Sequence, residues 1–253
     1  MFDLSSFDLS LTQWLALALS AFLVGVSKTG IPGLGILPVP LMALALPAKA
    51  SVGALLPMLI FADLFAAGYY RRHAQWAHIL RLMPPAVLGI VTGYLAMGKV
   101  TDSQLKPVIG AIVLSMLAIR VAGDHLKKPQ DKTEPSSGLF FAVFLGFFIG
   151  LTSMMANAAG PIMIIYLLTA RLPKTQFVGT AAWFFFIVNW LKVPFSATLD
   201  LITAQSLKLN VCLFPVIVIG ALTGIVLLKH IPQKLFRLIV LALAAAAAVK
   251  LLF

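Results

Sequence analysis

Lys28 and Lys192 each stand inside a long apolar run, beside side chains that donate and accept hydrogen bonds. Ser27, Thr29 and Gly30 flank Lys28. Asn189 precedes Lys192 by one helical turn, on the same helix face. Thr152, Ser153 and Asn157 form a third polar group, followed by Ala158. Ammonium, hydroxyl and amide groups in this mixture suit a small anion, and the small residues Gly30, Gly33, Ala156 and Ala158 let a ligand approach the backbone. Asp63 is the carboxylate within an apolar run, with two uses open to it: exchanging a coupled proton, or pairing with a lysine. Plainer uses exist for the others. A lysine can snorkel to an interface, and a hydroxyl can bond back to its own helix.

The elements that must position these residues are membrane helices. The chain is 61% hydrophobic and 11% charged over 253 residues, whereas a soluble domain carries about 25% charged residues. Apolar segments lie at 13–27, 36–46, 50–70, 79–97, 105–121, 139–153, 158–170, 176–198, 207–228 and 235–253. A net charge of +11 in such a chain reads as cytoplasmic loops facing anionic lipid, not as nucleic-acid binding. Residues 1–10 hold Asp3 and Asp8 without Lys or Arg, the reverse of a signal-peptide start. The single cysteine, Cys212, and the loop histidines His73, His78, His125 and His230 show no ligand spacing, and no cofactor is expected. Gly30-Ile31-Pro32-Gly33-Leu34-Gly35 lacks the βαβ context of a dinucleotide loop. The scarcity of intramembrane His, Cys and carboxylates argues against an enzyme.

The chain also repeats itself. Leu46-Pro47 with Val52-Gly53 recurs as Leu172-Pro173 with Val178-Gly179, and at that offset Asp63 falls on Asn189. Gly89-Ile90-Val91-Thr92-Gly93 recurs as Gly220-Ala221-Leu222-Thr223-Gly224. Each half opens with an interrupted apolar segment, broken at Lys28-Thr29-Gly30-Ile31-Pro32 and at Asn157-Ala158-Ala159-Gly160-Pro161. Residues 13–46 as one helix would be about 50 Å long, against a bilayer core of about 30 Å. Treated as re-entrant hairpins, the broken segments leave Lys49, Lys99, Lys106, Lys208 and Lys250 on one side, keep Lys28 and Lys192 in the membrane, and gather all other basic residues on the opposite side. Single crossings give no such bias, so the positive-inside rule favours hairpins. The expected fold is an all-α polytopic membrane protein with two inverted repeats, each a broken re-entrant hairpin plus three transmembrane helices. The first repeat covers 1–123, a cytoplasmic linker 124–137, and the second repeat 138–253. Both termini are expected outside. Two helix starts then meet near the midplane, where partial positive charge suits an anion.

These motifs resemble the TauE/SafE sulfite exporter family. The resemblance rests on Ser27-Lys28-Thr29-Gly30-Ile31-Pro32-Gly33, Ala62-Asp63-Leu64-Phe65, Met155-Ala156-Asn157-Ala158-Ala159-Gly160-Pro161 and Asn189-Trp190-Leu191-Lys192-Val193-Pro194. It implies a homodimeric permease of a bacterial inner membrane, moving sulfite, sulfoacetate or related organosulfonates. It also carries site roles onto Lys28, Thr29, Asn157, Asn189 and Lys192. The expected function is outward movement of a small sulfur-containing anion by alternating access, with an anion channel, or a permease for another small organic or inorganic anion, as the alternative.

Overall fold

The computed structural model describes residues 9–46, 48–97 and 139–252. Its elements are α1 (Leu11–Thr29), a 3-10 turn (Pro32–Ile36), α2 (Pro38–Ala45), α3 (Ala48–Tyr69), α4 (Trp76–Ala96), α5 (Leu139–Ala156), α6 (Gly160–Thr169), α7 (Lys174–Thr198), α8 (Ala204–His230) and α9 (Gln233–Leu252). There is no strand among the described residues. Among the described residues six helices are long and apolar enough to cross a membrane: α1, α3, α4, α5, α7 and α8. The expected span at 105–121 and the linker at 124–137 lie outside the described residues.

Local chemistry accounts for the boundaries. Ser10 caps α1 in a reciprocal capping box with Gln13, and Thr203 caps α8 in the same way with Ser206. At the other end of α8 the Lys174 ammonium lies 2.6 Å from the carbonyls of both Leu228 and Ile231, where a cation satisfies acceptors the helix leaves open. Pro194 does not end its helix; α7 runs on to Thr198. Both breaks fall where the sequence puts them. Gly30 closes α1 before the 3-10 turn, and Asn157 closes α5 with φ 51, a left-handed backbone that asparagine tolerates. The arms before the breaks are longer than the sequence segments. α1 has 19 residues and α5 has 18. A hydrogen bond from the Tyr70 hydroxyl to the Thr29 carbonyl (2.8 Å) holds the last turn of α1 in place.

Two helix pairs pack at backbone contact, α1 on α8 and α4 on α5. Glycine permits both. A Cβ on Gly25 or Gly220 would run into the backbone of the facing helix, and a Cβ on Gly150 would overlap the Ala86 carbonyl. Replacing Gly150 by leucine is therefore expected to lower stability by about 1–3 kcal/mol or more. Heating in detergent, with the folded fraction read by size-exclusion chromatography, checks this; an unchanged melting curve would rule out so close a pair.

The apolar core is divided. One cluster joins α1, α2, α3 and α8 through Leu17, Ala21, Met42, Met58 and Leu213. The other joins α4, α5, α6, α7 and α9 through Leu82, Ile149, Tyr166, Phe184 and Val240. Between the clusters α3 and α7 lie antiparallel. The Gln75 amide, just past α3, donates to the Thr180 hydroxyl near the start of α7 (3.0 Å), while Leu201, just past α7, meets Gly53 near the start of α3. The segment before α3 folds back on itself, with the Gln13 side-chain amide donating to the Ala45 carbonyl at 3.0 Å.

Candidate anion site

A continuous polar chain crosses the seam between the two clusters. Lys28, in the last turn of α1, places its ammonium 2.8 Å from Asp63 Oδ1 and 4.5 Å from the centroid of the Phe185 ring. Asp63 is fully buried, and its Oδ2 accepts a hydrogen bond from Asn189 Nδ2 at 2.7 Å. Asn189 Oδ1 in turn accepts from Lys192 at 3.2 Å. Lys192 also donates to Asn157 Oδ1 (2.7 Å) and contacts Ser153 Oγ (3.1 Å). An ammonium has three N–H donors and no acceptor, so these three oxygens occupy it fully. Both amide orientations follow from their partners. Asn189 must turn its nitrogen to the carboxylate, and Asn157 donates its own to the Val52 carbonyl at 3.4 Å.

The chain borders a cavity of about 70 Å³, room for several waters or one small anion. Its polar wall is Ser27, Lys28, Ser153, Asn157 and Asn189, and its apolar wall includes Leu59, Met163, Ile164, Phe177 and Phe185. Ala158, Ala159, Gly160 and Pro161 bring the start of α6 to the same space. The first N–H groups of a helix lack intrahelical partners, so this end of α6 offers donors as well as partial positive charge.

The sequence-predicted residues divide into three groups. Ser27, Lys28, Ser153, Asn157, Ala158 and Asn189 line the cavity, although the Ser27 hydroxyl is also donated to the Val24 carbonyl at 3.0 Å. Asp63 and Lys192 stand one layer behind, touching the lining side chains rather than the space. Thr29, Gly30 and Thr152 face elsewhere. The Thr29 hydroxyl lies 2.7 Å from the Ala221 carbonyl, Gly30 packs on Gly224, and the Thr152 hydroxyl bonds back to Phe148 at 2.7 Å. For these three, helix packing has taken the polar or small group. Phe185 was missed by reading polar residues alone. It lies four residues before Asn189, hence on the same helix face, and that spacing was the available signal.

The family model for the sulfite exporter TauE/SafE matches residues 17–251. The chain belongs to the TauE/SafE family. No curated relative and no solved structure matches it. Membership makes this TauE/SafE chain a multi-pass membrane protein of a transporter family named for sulfite export. In this TauE/SafE protein the seam between the two apolar clusters carries the side chains of two lysines and one aspartate, next to a cavity of anion size.

Proposed function

We propose that the protein exports a small sulfur-containing oxyanion or sulfonate by alternating access, with the anion bound at Lys28, Ser27, Ser153, Asn157 and Asn189. The observation that carries this reading is the cavity itself, which joins Lys28 from the first helix break to Asn157 and the start of α6 from the second. Lys28 has a face towards the cavity at 13% side-chain exposure, whereas Lys192 is committed to three protein oxygens. Lys28 therefore touches the anion, and Lys192 holds Asn157 and Asn189 in place for it.

The two halves are taken as inverted repeats, each a re-entrant hairpin plus three spans. In support, the Gln13–Ala45 hydrogen bond brings both ends of the first broken segment together. α3 and α7 run antiparallel through Asp63 and Asn189, which are equivalent positions of the repeat. The close pairs α1–α8 and α5–α4 are likewise equivalents of one another. Because each apolar cluster draws helices from both halves, the bodies that rock are α1–α2–α3–α8 against α4–α5–α6–α7. The basic loop side is taken as cytoplasmic, both termini as periplasmic, and the assembly as a homodimer in a bacterial inner membrane. An inside-negative potential then favours efflux by about 2.3 kcal/mol per charge per 100 mV.

Flux from sulfite-loaded proteoliposomes tests the site. The paired variant Lys28→Met/Asp63→Asn removes both charges together and so orphans neither. Its saturable efflux is expected to fall by at least about tenfold, since a charge-assisted hydrogen bond to the anion is lost. Undiminished flux would refute the site, and single-channel conductance far above carrier turnover would refute alternating access.

A further inference from the structure

We infer that Asp63 is the specificity-determining residue that restricts the site to singly charged anions, such as hydrogensulfite or a sulfonate, against dianions such as sulfite or sulfate. The inference rests on the anion site proposed above.

Charge within the seam is uneven. Lys28 and Lys192 bring two ammonium groups, and Asp63 brings one carboxylate. Asp63 is the only acidic residue inside a described membrane-spanning helix; Asp200, the other acidic residue among those described, lies beyond the end of α7. Aromatic rings and aliphatic side chains make up most of the remaining wall. With both lysines protonated and Asp63 ionised, the seam carries one uncompensated positive charge, which is costly in such surroundings and leaves it one negative charge short of neutrality. A monoanion completes it. A dianion would overshoot and set its second charge against a carboxylate that cannot move away. Both Asp63 oxygens are already held, one by the Lys28 ammonium at 2.8 Å and the other by Asn189 at 2.7 Å.

Geometry makes this selection direct without contact. Asp63 does not line the cavity, but both groups it holds, Lys28 and Asn189, do. An anion hydrogen-bonded to Lys28 is therefore about two hydrogen-bond lengths from the carboxylate. At that range in a weakly polar wall, one unit of charge weighs heavily on binding. Asp63 is thus a positioning residue for Lys28 and Asn189, and its charge sets the valence of the anion accepted.

The test compares two anions of fixed charge, methanesulfonate and sulfate, by thermal stabilisation of the purified protein. The native protein is expected to bind methanesulfonate at least about tenfold more tightly than sulfate. In Asp63→Asn the ratio is expected to move towards sulfate by at least about tenfold, and in Asp63→Glu, which keeps the charge, to stay near native. A residue that served only to hold the fold would weaken both anions together and leave the ratio unchanged. Equal binding of the two anions by the native protein overturns the inference without any variant, while the anion site itself stands. A ratio unaltered in a folded Asp63→Asn protein overturns it too. If neither these anions nor sulfite stabilise the native protein, the anion site fails, and this inference with it.

Discussion

Replacing Lys28 alone by methionine is expected to destabilise the protein by roughly 3–5 kcal/mol, the cost of leaving one member of a buried ion pair without its partner. Asp63 has no exposure to solvent, and Lys28 is the cation paired with its Oδ1 at 2.8 Å. After the substitution the carboxylate would keep only Asn189. The effect should be undone by a second change. Lys28→Met with Asp63→Asn removes both charges, and well-matched neutral replacements of a buried pair are often close to neutral in stability. Thermal denaturation in detergent of the two single variants and the double variant measures the coupling. A double variant as unstable as the sum of the singles would mean that the pair contributes nothing to the fold.

Lys192→Met is expected to be as damaging, for a different reason. Its ammonium is saturated by Asn157 Oδ1, Asn189 Oδ1 and Ser153 Oγ. Removing it leaves the buried Asn189 oxygen without its donor, at a cost of about 1–3 kcal/mol, and the part-buried Asn157 oxygen without its own. It also frees Asn157 and Asn189 to rotate, although both line the cavity. Anion affinity should therefore fall by at least about tenfold even though Lys192 is not in the cavity wall. The measurement is the rise of the variant's melting temperature with methanesulfonate concentration, compared with that of the native protein. A Lys192→Met protein with native stability and native anion affinity would show that the three hydrogen bonds do not organise the site.

Much of the site is legible in the order of residues along the chain. Charged and amide side chains in apolar runs are expensive, so each one marks a position that must find a partner or a cavity. Lys28, Asp63, Asn157, Asn189 and Lys192 all obey that logic, and they are connected in a single chain. The hydroxyls are less legible. Ser153 and Ser27 reach the cavity, while Thr29 and Thr152 bond to backbone carbonyls instead. A hydroxyl in a helix can serve either purpose, and only the position of the neighbouring helix decides between them.

The properties written in the amino-acid order are local ones: apolar length, the Gly/Pro and Asn breaks, the repeat, and the motifs that place the chain in its family. These depend on hydrophobicity and backbone preference over a few turns. Partnership between residues came from packing. Asp63 and Asn189 are 126 residues apart and meet only because α3 and α7 pack antiparallel. The same packing turned Lys28 towards the cavity and enclosed Lys192 behind its amides. Two lysines of equal standing in the sequence thereby acquired different surroundings, because the oxygens near each come largely from helices distant in the chain.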